Sequence, residues 1–154
     1  MLQQLLVCMT PCTRMTGERM TSGKLLIVDD DKVAMKNLEQ ALKKEGYAVT
    51  TTQSGGNAQA LLEKQSFDVV LSELRMDKVD GMQLLKRCRE SHPDTEVILI
   101  TGHATLESAV EAMKQGAFTY LAKPCRLDDV RKAVAGALEK IRLKRESRNL
   151  KEQV

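Results

Sequence analysis

With 154 residues, 42% of them hydrophobic and 29% charged, the chain has the composition of a soluble globular protein with one core and tails, and is too short for two ordinary domains. A net charge of +3, few aromatics and no Trp give neither a general nucleic-acid footprint nor a base-stacking platform, so direct nucleic-acid binding is not expected. No apolar run approaches the ~20 residues of a membrane helix, which excludes a membrane span of that kind, and the cysteines (Cys8, Cys12, Cys88, Cys125) form one close pair without the second pair a zinc site needs.

Residues 1–23 read as a poorly ordered leader: the apolar patch Leu5-Leu6-Val7 is too short for a signal peptide and has no basic stretch before it. Met20 lies just before the first strand and admits a later start. The remainder reads as intracellular, with reduced thiols and a cytoplasmic location expected.

From Lys24 short apolar runs alternate with amphipathic helices, the pattern of a parallel sheet covered on both faces. The predicted strands are Leu25 to Val28, Ala48 to Thr52, Val69 to Ser72, Val97 to Ile100 and Thr119 to Ala122. The first helix carries Val33, Leu38, Ala41 and Leu42 at helical spacing and stops at Gly46; a second begins at Gly55-Gly56, which lack the rest of a phosphate loop. The third follows Gly81 with Met82, Leu85 and Cys88 on one face, and the fourth follows Thr105 with Val110 and Met113 inward. The last starts near Asp128 as N-cap, and Val130, Val134, Ala137, Leu138 and Ile141 form its apolar stripe. A second stripe, Leu143, Leu150 and Val154, is spaced by seven and four, so the seam changes register near Ile141 and suggests a short coiled coil between two subunits. The expected organisation is a leader over 1–23, one α/β domain over 24–140 and a helical linker over 141–154.

Polar residues collect at the carboxyl ends of the strands, where open α/β sheets bind ligands: Asp29, Asp30 and Asp31 after the first strand, Glu73 after the third, Thr101 ending the fourth and Lys123 after the fifth. Converging carboxylates repel unless a cation is present, and oxygen ligands suit Mg²⁺. Lys123 and the Thr101 hydroxyl add donors for an anion such as a phosphoryl group. His92 and His103 read as loop histidines without a catalytic partner set.

With the segments LLIVDDDK (25–32), DVVLSELRMDKVDGMQLL (68–85), VILITGHA (97–104) and YLAKP (120–124), the chain resembles the CheY-like receiver domain of two-component response regulators over roughly residues 24–140. The resemblance implies a doubly wound, flavodoxin-like (βα)5 fold with five parallel strands, helices on both faces and an extended C-terminal helix. The wording is nearest to receivers of NtrC-type sigma-54-dependent activators, whose linker into an ATPase domain the tail EKIRLKRESRNLKEQV resembles. It implies Asp29 and Asp30 as the metal-binding pair, with Asp30 the direct ligand, joined by Glu73 and the Arg75 backbone carbonyl. Thr101 and Tyr120 match the switch pair, and Lys123 before Pro124 matches the family lysine.

Two departures stand out. Glu73 occupies the position of the phosphoacceptor Asp, and Asp77 occupies that of the usual Pro. A Glu carboxylate stands about 1.5 Å farther from the backbone, and transfer chemistry is sensitive to misplacements of about 1 Å. Glu73 is therefore expected to be a poor acceptor and a partial imitation of a phosphorylated Asp.

The expected function is a phosphorylation-independent or phospho-mimicking dimerisation and regulatory module rather than an enzyme. Its expected partners are a second copy and a downstream AAA+ or DNA-binding output domain. The alternative is a conventional receiver phosphorylated by a histidine kinase. Asp29, Asp31 and Val33 also fit the nucleophile pattern of haloacid-dehalogenase-type phosphatases, but Asp128-Asp129 follow no strand as that enzyme class requires.

Overall fold

The computed structural model describes residues 23–153, so all of the expected leader except Gly23 lies outside the described residues. In chain order the elements are β1 (Lys24–Val28), α1 (Lys32–Lys44), β2 (Ala48–Thr52), α2 (Gly55–Lys64), β3 (Val69–Ser72), α3 (Gly81–Ser91), β4 (Glu96–Thr101), α4 (Leu106–Lys114), β5 (Thr119–Ala122) and α5 (Leu127–Gln153). The five strands form one parallel sheet in the order β2-β1-β3-β4-β5. This is the doubly wound, CheY-like arrangement, and its strand order reverses between β1 and β3, the place where such sheets bind ligands.

Successive side chains of the inner strands point to opposite faces, and each face meets its own set of helices. Leu26, Val28, Val70, Val97 and Leu99 pack with Ala58, Leu62, Leu84, Leu85, Cys88 and Ala112 of α2, α3 and α4. Leu25, Ile27, Val69, Leu71, Ile98 and Ile100 pack with Met35 and Leu42 of α1 and with Val130, Val134, Ala137 and Ile141 of α5. Because both faces are covered, β1, β3 and β4 read as nearly continuous apolar runs.

Three strands have the expected limits, and Gly46 takes φ 97° just beyond α1, as a helix-ending glycine does. Strand β1 begins one residue earlier, and β4 extends one residue at each end because Glu96 and Thr101, although polar, are buried in the ladder.

Three expectations about helices are corrected. Val33 is 69% exposed, since it lies in the first turn of α1 beside the open carboxyl end of the sheet, and Met35 takes the buried position. Val110 and Met113 are 46% and 50% exposed; α4 is rotated so that Ala112 faces the sheet, a small side chain allowing close approach. Helix α5 begins at Leu127, so Asp128 lies in its first turn with Asp129, where carboxylates complement the helix dipole.

One glycine joins the fold to the site. A Cβ on Gly81 would stand 2.5 Å from the Glu73 backbone oxygen and 2.9 Å from Leu74 Cα, and the Gly81 N–H donates to Leu74 O at 2.9 Å. The start of α3 is thus pressed onto the loop that carries Glu73. Gly81→Ala is expected to cost about 1–3 kcal/mol in urea unfolding, the range for overpacking against atoms that cannot yield.

Candidate functional site

Strand β1 delivers Asp29 to the sheet's carboxyl edge, where the Asp29 N–H donates to Thr52 O at 3.2 Å. The three consecutive aspartates then separate by role. Asp29 turns inward and is 4% exposed, while Asp30 and Asp31 are exposed. Asp31 caps α1, its Oδ1 accepting from Val33 N at 3.0 Å and Ala34 N at 3.3 Å. The Asp31 N–H donates to Asp29 Oδ1 at 2.9 Å, so the cap also fixes the buried carboxylate.

Glu73 follows β3 and is 7% exposed; its N–H donates to Val28 O at 2.9 Å, tying it to the end of β1. Its Oε2 accepts from Leu74 N at 2.9 Å and Arg75 N at 3.3 Å. Beyond it, Asp77 is exposed and Lys78 adopts the left-handed φ of 63° before Asp80 caps α3. Thr101 is fully buried at the end of β4, where its Oγ1 accepts from His103 N at 3.0 Å. The Lys123 N–H donates to Thr101 O at 2.8 Å, which places the lysine beside the threonine.

The Lys123 ammonium joins the two acidic loops, standing 3.0 Å from Asp29 Oδ2 and 2.9 Å from Glu73 Oε1. Burial pushes the Asp29 carboxyl up, and the Asp31 N–H and the Lys123 contacts do not bring it back to the ordinary range. Burial also acts upward on Glu73, but hydrogen bonds from the Thr101 side chain, Lys123 and the Arg75 N–H outweigh it and hold Glu73 below its usual value. For Lys123, burial acts downward and is overcome by its bonds to Glu73 and Asp29, which raise it. Two neighbouring carboxylates are therefore driven in opposite directions, and Glu73 is the one kept firmly ionised.

The acid dependence of stability follows from these signs. Glu73 contributes stability above its unfolded-state pKa that is lost as pH falls through its depressed folded value; Asp29 costs stability when ionised, a cost relieved as pH falls through its raised value. The two act in opposite directions, so the acid limb expected from this pair is shallower than Glu73 alone would give. Lys123 contributes stability in full below its unfolded pKa and loses it as pH rises through the raised folded one, so urea midpoints are expected to fall above the ordinary lysine value of 10.5.

All four oxygens of Asp29 and Glu73 already accept hydrogen bonds or ion-pair with Lys123. Among the described residues no three His, Cys, Asp or Glu side chains converge as a metal site. Asp30 points to solvent, and the ammonium stands where two buried anions need a countercharge. In this arrangement a magnesium ion would have to displace the Lys123 ammonium from Asp29 and Glu73.

Tyr120 on β5 is partly buried and packs against the α2–α4 side of the core. Its hydroxyl is hydrogen-bonded to Ser108 Oγ on α4. Nothing in the residue pattern singles out Ser108 as a partner of Tyr120. Its spacing of three from Thr105 signals the capping box that the structure contains, but its contact with Tyr120 depends on how α4 lies on β5.

The model of the response regulator receiver domain family matches residues 25–135. The transcriptional regulatory protein GlrR of Escherichia coli K12 is 42% identical over 115 residues, which are 75% of this chain and 26% of that protein. The DNA-binding transcriptional regulator NtrC of Salmonella typhimurium is 38% identical over 131 residues, 85% of this chain and 28% of that one. The chain thus spans about a quarter of the length of these curated relatives. Among solved structures, a response regulator receiver domain protein from Clostridium thermocellum superposes with a TM-score of 0.75 at 33% identity, over 79% of this chain and 98% of that one.

Proposed function

Because the chain belongs to the response-regulator receiver family, we propose that it is a signalling receiver whose state is set without Asp phosphorylation, Glu73 standing in part for a phosphorylated acceptor. The observation that carries this reading is the ion pair made by one carboxylate. Glu73 Oε1 stands 2.9 Å from the Lys123 ammonium, so the lysine that would hold a phosphoryl group is already engaged by the charge at position 73. A single carboxylate supplies one negative charge where a phosphoryl group supplies nearly two, so the imitation is partial.

In this reading residues 24–140 are the receiver and residues 141–154 a helical linker to an AAA+ or DNA-binding output domain in a longer transcription regulator, a proposal drawn from relatives named as transcriptional regulators. The protein works as a homodimer in the cytoplasm. Leu106, Val110 and Met113 on α4 and Leu143 on α5 are exposed apolar side chains that a second copy would cover. Thr101 and Tyr120 form the switch pair, and Lys123 holds the charge at position 73. Mg²⁺, the cation of this family, binds weakly at Asp29, Asp30, Glu73 and the Arg75 carbonyl, since Lys123 competes for the same oxygens. Phosphorylation of Glu73 by a histidine kinase is the conventional alternative, and the preserved lysine and threonine favour it.

Intact mass after incubation with phosphoramidate and Mg²⁺ separates the two. The expected spectrum is unchanged. A phosphoryl adduct mapped to Glu73 sinks the phosphorylation-independent reading and establishes the conventional one.

A further inference from the structure

The stripe by which α5 packs on the sheet continues beyond the core. Val130, Val134, Ala137 and Ile141 are buried, and the next positions at the same helical spacing are Arg145 and Arg148. Both meet carboxylates at the rim where the chain enters the sheet, opposite the Asp29 and Glu73 end. An Arg145 guanidinium nitrogen stands 3.3 Å from Asp68 Oδ1, just before β3, and one of Arg148 stands 3.0 Å from Asp94 Oδ1, in the turn before β4. Five residues before Arg145, Lys140 Nζ is 3.4 Å from both carboxylate oxygens of Glu96. Glu96 is fully buried at the start of β4, and Lys140 Nζ lies 6.0 Å from the Phe118 ring centroid.

We infer that Asp68, Asp94 and Glu96 form an acidic docking rim for the chain's own basic helix segment, residues 140–148, and that these ion pairs latch the extension of α5 to the receiver. The pairs differ in character. A buried carboxylate requires a countercharge, so Lys140 is a fixed anchor. The Arg145 and Arg148 pairs are more exposed, contribute little singly and weaken with salt, which makes them the releasable part. Leu143 lies two residues past Ile141, about 200° around the helix, and is half exposed. A latched extension therefore keeps its arginine face on its own domain and turns Leu143 away from it. The latch sets the direction in which α5 leaves the receiver, independently of how position 73 is charged.

Amide hydrogen exchange of residues 142–148 tests this in the full chain. Gln matches Arg closely in helix propensity, so an undocked overhang would exchange alike in the parent and in Arg145→Gln/Arg148→Gln. The latch predicts exchange faster by roughly threefold or more in the double variant, the combined effect of two exposed pairs. Asp94→Asn, made from the rim side, shifts the same amides in the same direction, molar salt removes the difference, and Lys144→Gln leaves exchange at the parent rate. Core amides of β1 and β3 report whether each variant is folded. A smaller change in the double variant overturns the latch, as does an equal loss in Lys144→Gln. Protection that rises with protein concentration and ignores the arginines also overturns it, assigning the order to pairing of two copies.

Discussion

Glu73→Asp is expected to raise the rate of phosphoryl uptake from acetyl phosphate or phosphoramidate by about 10²-fold or more. The magnitude follows from the roughly 1 Å tolerance of in-line transfer, against a carboxylate displaced by about 1.5 Å. Shortening the side chain also withdraws it from Lys123, which stands 2.9 Å from Glu73 Oε1, and opens room for the incoming group and for a cation. Magnesium affinity should therefore rise in the same variant, read by titration of the Asp29 and Asp30 amide resonances. Intact mass of parent and variant, measured side by side with Mg²⁺, is the direct test. A variant as inert as the parent means the pocket is disabled elsewhere, and Asp77 becomes the first residue to examine.

The second large effect is expected on stability. Lys123→Met removes the ammonium shared by two carboxylates that are 4% and 7% exposed, leaving both without their principal countercharge. Breaking such an arrangement from one side costs about 3 kcal/mol, the low end of the usual range because Lys123 itself is partly exposed. Urea unfolding at neutral pH measures the loss. The pH dependence also shifts. Removing the ammonium takes a lowering influence from each acid, so both folded pKa values rise. Asp29, already raised, then costs more stability when ionised, and acidification through the carboxylate range should recover part of what was lost. Adding Glu73→Gln to Lys123→Met should restore a share at neutral pH. No recovery in either experiment would mean that the lysine acts mainly through its packing.

Much of the fold could be read from residue types alone. The inner strands are buried on both faces, so β1 and β3 appear as unbroken apolar runs, and the acidic, threonine and lysine positions fall at strand ends whatever the side-chain details. What escaped was set by tertiary contact. The outward rotation of α4 is invisible in a helix whose apolar residues, Val110 and Met113, are larger than the Ala112 that approaches the sheet. The division of labour among Asp29, Asp30 and Asp31 is likewise hidden in a run of identical residues. It depends on which carboxylate faces Lys123, 94 positions away, and which caps α1. Glu96 lay outside the strand expected over Val97 to Ile100, because its partner Lys140 is 44 positions distant.

The Ser108 hydroxyl, met above as part of a helix cap, has a consequence for how this domain can change. A hydroxyl owns one proton and two lone pairs, and here the Ser108 oxygen lies within hydrogen-bonding reach of Thr105 O, Thr105 N, Thr105 Oγ1 and the Tyr120 hydroxyl. More partners converge on it than it can serve at once. The first turn of α4 and the orientation of one aromatic ring are thereby written on a single atom. Drift at position 108 in a lineage of such chains would alter both at once, and an independently adjustable ring would first require the helix to find another way to begin.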